Sequence, residues 1–194
     1  MSNTPVPPHF TDTFKLFATR GRYKSASPYG SGHINDTYLV TCVDTAERPI
    51  RYIAQCINDN VFKDVPALSE NVQRVTAHLA NEAGPGSRQL SLVNTSEGHA
   101  CACDADGNYW RVYDFIEGAH TVDRVTNEAQ ARETALAFGS FQASLATLSG
   151  ERLKETIPNF HHTRSRFENL RRAVSEDKAG RASSVQAEID FAFA

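Results

Sequence analysis

The spacing of apolar residues changes along the chain, and each change predicts an element. Phe10, Phe14 and Phe17 fall four and three apart, the spacing of one helix face, and predict a short helix over residues 9–18. Residues 1–8 carry three prolines and no periodicity, which reads as a disordered leader. Residues 22–29 read as a strand entering a glycine turn. Residues 34–43 and RYIAQCIN at 51–58 are rich in β-branched and aromatic residues and predict two strands, paired antiparallel across a polar turn at 45–49. Val65, Leu68, Val72, Val75 and Leu79 then recur at three, four, three and four, one apolar helical stripe. Asp64 is its cap, Pro66 suits its first turn, and Gly84-Pro85-Gly86 is its stop signal.

Short strands follow at 89–93 and 99–103. Asp106-Gly107 marks a hairpin turn, and 108–115 returns as an aromatic strand. After Gly118 the period becomes helical. One helix is expected over about 127–148, with Ala135, Phe138, Phe141, Leu145 and Leu148 on one face, and another over 163–176. The final EIDFAFA reads as a helix cut short. The pattern divides the chain into a leader and short helix at 1–20, a mixed α/β part at 21–118 and a helical part at 119–194.

Composition narrows the classes. Of 194 residues, 40% are hydrophobic and 22% charged, with net charge −3, the profile of a soluble globular chain. No basic stripe suggests nucleic acid, and no apolar run approaches the roughly 20 residues that span a bilayer. The first residues, MSNTPVPPHF, lack a basic n-region and an apolar h-region, so a cytoplasmic location is expected. Cys42, Cys56, Cys101 and Cys103 are then expected as reduced thiols. None of them, and no serine, begins the C/S-x-P-x-R motif that a formylglycine sulfatase requires.

The chemistry concentrates in PYGSGHINDTYLV, residues 28–40. Gly30 and Gly32, one residue apart between two strands, let the backbone turn sharply and approach a ligand with no Cβ in the way. Such a turn is either a plain hairpin or a loop whose N–H groups cradle phosphate, as the glycine-rich loop of kinases does. NYWRVYDFIEG at 108–118 is either a core strand with its loop or a hinge whose backbone pairs with adenine.

A longer match adds to this. PYGSGHINDTYLV, RYIAQCIN, VFKDVPALSENVQRVTAHL (61–79), WRVYDFIEG (110–118), AFGSFQASL (137–145), LKETIPNFHHTRSRFENL (153–170) and DKAGRASSVQAEIDF (177–191) occur in order. They resemble the N-acetylhexosamine 1-kinases, a branch of the aminoglycoside phosphotransferase and choline kinase superfamily. The resemblance covers nearly everything after residue 20. It implies an α+β fold, with a protein-kinase-like small lobe followed by the first helices of a truncated large lobe. It also implies transfer of the ATP γ-phosphate, with Mg²⁺, to the anomeric oxygen of N-acetylglucosamine or N-acetylgalactosamine.

By that resemblance Gly30, Ser31 and Gly32 cover the phosphates. His33 reaches the sugar or the transferring phosphate, or is an ordinary loop histidine. Gln55 stands where many kinases carry a lysine for the α/β-phosphates; it donates a hydrogen bond but brings no charge, so Mg²⁺ or another cation must supply it. Glu70 is either that position's helix partner or a solvated carboxylate. Asp114, Phe115, Ile116 and Glu117 give backbone contacts to adenine.

Phosphoryl transfer in this superfamily also uses an Asp base with an Asn five residues later. No aspartate here has Asn at that spacing, no His-x-Asp occurs, and the one D-x-D, Asp104-Ala-Asp106, lies on a turn. In the resembled family these groups lie beyond the segment ending EIDF, so the chain reads as an N-terminal piece, with catalytic and metal groups expected beyond Ala194. Losing one electrostatic group of this kind costs about 2.7–4 kcal/mol of transition-state stabilisation, so the chain alone is expected to be inactive. Apolar faces at Phe138, Phe141 and Phe191 are expected to lack partners. The competing expectation is a non-catalytic, pseudokinase-like fragment that binds a nucleotide or a protein.

Overall fold

The computed structural model describes residues 4–84 and 88–194 and divides into two compact units, Met1–Thr156 and Ile157–Ala194. The first is built on one antiparallel sheet. Its strands are β1 (Arg22–Pro28), β2 (Asp36–Val43), β3 (Pro49–Ile57), β4 (Leu92–Val93), β5 (Ala102–Cys103) and β6 (Tyr109–Asp114). They run in the order β1-β2-β3-β6-β4, with β5 also on β6. Helix α2 (Val65–Glu82) lies in sequence between β3 and β4, and α3 (Glu128–Leu145) follows β6. This α+β arrangement, a small lobe of sheet and one helix followed by further helices, is the one expected.

Residue alternation gives the sheet two faces. Tyr38, Val40, Cys42, Tyr52, Ala54, Trp110 and Val112 point to one and are buried, packed with Phe10, Phe14 and Phe17. The rings interlock: Phe10 lies 5.1 Å from Trp110 and 5.8 Å from Tyr38, and Phe14 lies 5.9 Å from Tyr52. Burial pushes the Tyr38 hydroxyl up to about 12, with the charge on Asp36 adding to it. Burial likewise raises Cys56 to about 11, so this thiol stays protonated and unreactive at neutral pH.

The N-terminal segment therefore caps this aromatic face of the sheet. Helix α1 is short, Phe10–Phe14. The rest of the expected helix is drawn off into pairing with a distant loop: Phe17 bridges Thr95, and Ala18 N–H donates to the Asn94 carbonyl. The leader expected to be disordered is in place from Thr4, whose hydroxyl donates to Asp36 at 2.8 Å, and Val6 packs on the core. Residues 1–3 lie outside the described residues.

Asp64 caps α2 as expected, accepting from Ala67 N–H at 2.9 Å. Of the expected apolar stripe, Val65 is fully buried, while Leu68, Val72, Val75 and Leu79 are half-buried. A second, polar stripe shares the docking. Asn71 exchanges hydrogen bonds with the Lys154 backbone, Arg74 donates to the Ser149 and Glu151 carbonyls, and His78 Nε2 donates to the Ser144 carbonyl at 2.8 Å. The helix ends at Glu82. Pro85 and Gly86 of the expected stop signal lie outside the described residues. Strands β4 and β5 are shorter than expected, two residues each: both keep their expected C-terminal ends, Val93 and Cys103, and lack the first three expected residues.

Asn127 caps α3 through Gln130 N–H, and Gln130 reaches back to Thr126. Phe138 is 67% and Phe141 43% exposed. In the second unit, α4 (Thr163–Glu176) has the expected bounds and is followed by a 3-10 turn at Ala182–Val185 and by α5 (Gln186–Phe193). Phe167 meets Phe193 edge-on at 5.5 Å, while Phe191 is 87% exposed.

One glycine is fixed by contact as well as conformation. Gly21 has φ +82, and a Cβ there would lie 2.7 Å from the Val43 carbonyl oxygen. Gly21→Ala is expected to destabilise the chain by about 1–3 kcal/mol, read as a lower urea midpoint with unchanged slope; an unshifted midpoint would show that β1 can move away freely.

Candidate functional site

The loop between β1 and β2 spans residues 29–35, and Tyr29 N–H closes its base on the Thr37 carbonyl at 2.8 Å. Gly30 takes φ +83, a conformation that side chains other than glycine adopt only under strain. A Cβ on Gly30 or Gly32 would meet nothing within 4 Å. Residues 30–34 are exposed, and among the described residues their backbone N–H groups donate to no protein acceptor. The loop thus holds unused donors in open space. Ser31 Oγ donates to Asp123 Oδ1 at 2.9 Å, tying the loop's tip to the segment after β6. The His33 ring makes no protein hydrogen bond among the described residues.

The face opposite the aromatic core carries Thr37, Leu39 and Thr41 of β2, Arg51, Ile53 and Gln55 of β3, and Arg111 and Tyr113 of β6. Register sets Thr37, Gln55 and Arg111 side by side on three neighbouring strands. Gln55 Nε2 donates to Thr37 Oγ1 at 3.1 Å, and Gln55 Oε1 accepts from Arg111 Nε at 3.0 Å. Thr37 follows the glycine loop by two residues, so this polar row lies at the loop's end of the sheet. Sequence reasoning found Gln55 and missed Arg111. Alternation assigns each to a face of its own strand, but their register joins residues 56 apart, which no local pattern encodes.

Glu70 is not part of this row. It pairs with Lys154 at the surface, the solvated alternative of the two open for it.

At the far end of β6 the expected hinge is held by Arg51. Phe115 N–H donates to the Arg51 carbonyl at 3.1 Å. The Arg51 guanidinium lies 4.4 Å over the Phe115 ring and forks onto Glu117, with Nε 2.9 Å from Oε1. That contact holds the Glu117 carboxyl below its ordinary range. Tyr29 leaves the glycine loop and meets Phe115 edge-on at 5.8 Å, so one aromatic pair links loop and hinge. Asp114 N–H is taken by the Ser91 carbonyl, and the Glu117 carbonyl accepts from Arg88 Nη1 at 3.0 Å. The Ile116 N–H and carbonyl and the Glu117 N–H have no protein partner among the described residues. Asp114, Phe115, Ile116 and Glu117 also line a cavity of about 380 Å³ with Ala80, Ala83, Arg88, Gln89 and Ser91.

The donor set fits an anionic, aromatic ligand: free amides at the loop, a guanidinium on the sheet, and an aromatic pair leading to an unpaired backbone edge. It does not fit a metal. Among the described residues no three of His, Cys, Asp and Glu come together as ligands. Asp104 of the D-x-D is turned inward, accepting from the backbone N–H groups of Asp106 and Asn108 and from Trp110 Nε1. Residues 25–194, from within β1 through the loop, the polar row, the hinge and every later helix, match the phosphotransferase enzyme family, APH, and the chain belongs to that family.

Proposed function

We propose that this chain forms the nucleotide-holding part of an ATP- and Mg²⁺-dependent kinase of a small hydroxyl compound, with the anomeric hydroxyl of an N-acetylhexosamine as acceptor. The family membership supports phosphoryl transfer. The observation that carries the nucleotide is the loop at residues 30–34, whose N–H groups are unused and whose glycines meet no neighbour. In this reading Gly30, Ser31 and Gly32 cover the phosphates. Gln55 acts from the sheet, and Asp114–Glu117 receive adenine, with Ile116 and Glu117 offering the free backbone edge. His33, exposed within the loop, faces the acceptor. The acceptor itself rests on the sequence resemblance to N-acetylhexosamine kinases. For the metal the described residues gather no ligand set.

A second reading has its own observation. The 194 residues themselves contain no Asp-x-x-x-x-Asn and no His-x-Asp, and in this reading they bind nucleotide without turning it over. Calorimetric titration of the chain with ATP and with adenosine, followed by an assay of sugar phosphorylation by a full-length version, since the chain alone is expected to be inactive, separates the two. Both readings expect both ligands to bind; phosphorylated sugar appears only under the first. Absence of heat with either ligand rejects nucleotide binding altogether. Gly30→Val leaves the space around the loop unobstructed but opposes φ +83. It is expected to weaken ATP about tenfold, the effect of some 1.4 kcal/mol, and to leave adenosine unchanged.

A further inference from the structure

We infer that Arg111 is the cation that receives the nucleotide's phosphates on this sheet, held in position by Gln55; the inference rests on the nucleotide-binding reading above. Gln55 brings no charge to the strand position where many kinases place a lysine. Its amide is oriented by two bonds at once: the nitrogen donates to Thr37, which leaves the oxygen to accept Arg111 Nε. Arg111 is thereby steered on one edge by Gln55, while its guanidinium lies 5.5 Å from the centre of the Tyr113 ring. Only Nε is engaged. Among the described residues both terminal nitrogens are without a protein acceptor, and no carboxylate is in ion-pair range.

This sets Arg111 apart from its neighbours. Arg22 pairs with Glu47, Arg48 with Asp44 and Arg51 with Glu117. Arg111 is half-buried and, with its fork unused, belongs to a row that begins two residues past the glycine loop. A partly desolvated guanidinium without a counter-ion is a costly arrangement unless an anion completes it. The planar fork suits phosphate oxygens in pairs. The row also accounts for glutamine at 55. A lysine there would stand directly opposite Arg111, and like charges facing each other across strands are destabilising. The charge has moved one strand over, about 5 Å, and the residue left behind has become its holder.

The experiment measures affinities of the native chain and Arg111→Gln for ATP, ADP and adenosine by calorimetry, with circular dichroism as a check on folding. Arg111→Gln is expected to weaken ATP and ADP about 10- to 100-fold, the range of a charge-assisted bond, and to change adenosine less than about twofold. An ATP affinity within twofold of native, or equal losses for ATP and adenosine, overturns the inference. If the native chain binds neither ATP nor adenosine, the nucleotide reading fails first and takes this inference with it. A second measurement needs no variant. Phenylglyoxal modification of Arg111 in the native chain, located by mass spectrometry, is expected to slow severalfold with ATP or inorganic tripolyphosphate and not with adenosine. Equal modification rates with and without ATP overturn the inference.

Discussion

Trp110→Ala is expected to cost about 3–5 kcal/mol of folding stability, the range for truncating a large buried aromatic side chain. Domains of this size have about 5–15 kcal/mol in total, so the loss leaves a barely folded chain. Trp110 is 1% exposed and sits where the N-terminal helix meets the sheet, against Phe10 at 5.1 Å and Tyr38 at 5.7 Å. Its removal opens a cavity that these rings cannot fill, since each is held by other partners: Phe10 by Phe14, and Tyr38 by its place in β2. Trp110 also precedes Arg111 on β6, so the variant loosens the strand that carries the candidate phosphate contact. The measurement is urea unfolding followed by circular dichroism, because the variant loses the only tryptophan. A cost below about 1 kcal/mol would mean that the N-terminal segment does not dock on the sheet as described.

How much of this was legible in the sequence depends on distance along the chain. Short-range chemistry was readable. Asp64 announced the start of α2, the aromatic strand read at residues 108–115 is β6, and α4 has the expected bounds. Phe10, Phe14 and Phe17 were recognisable as a face, and all three are buried. What they bury against was not readable, because the partner strands lie up to 100 residues away in sequence. The same limit explains the ends of elements. Helix α1 stops early because the Asn94 carbonyl competes for the backbone of Ala18, a pairing with no local signature.

The candidate site divides the same way. The glycine loop, Gln55 and the Asp114–Glu117 segment could be named because each is a contiguous motif. Arg51 and Arg111 could not, because each acts across strands, Arg51 on Phe115 and Glu117, Arg111 on Gln55. The need for a cation beside Gln55 was legible; its identity required the register of β3 against β6.

Asp104→Asn is expected to destabilise the chain by about 1–3 kcal/mol at neutral pH, with the difference disappearing in acid. Partial burial alone would raise the Asp104 pKa, but hydrogen bonds from Trp110, Asn108 and Asp106 outweigh it and hold the carboxyl below its usual value. The unfolded chain, lacking those bonds, therefore takes up a proton at higher pH than the folded one. The stability contributed by Asp104 is complete above the ordinary carboxylate range near about 4. It falls away as pH drops through the lower folded value. Asparagine keeps one acceptor oxygen but replaces the other with a donor. That donor then faces the Asn108 amide or Trp110 Nε1, which donate to Asp104 now at 3.1 and 2.8 Å. A buried donor without an acceptor costs about 1–3 kcal/mol. Trp110→Phe removes the indole donor while filling much of its volume, so a double-mutant cycle with Asp104→Asn isolates the bond that joins the hairpin turn to the core. Urea midpoints of native and Asp104→Asn chains are expected to differ at pH 7 and to converge as the pH falls below the lowered folded value. A difference that persists in acid would assign the effect to packing, with the carboxylate charge playing no part.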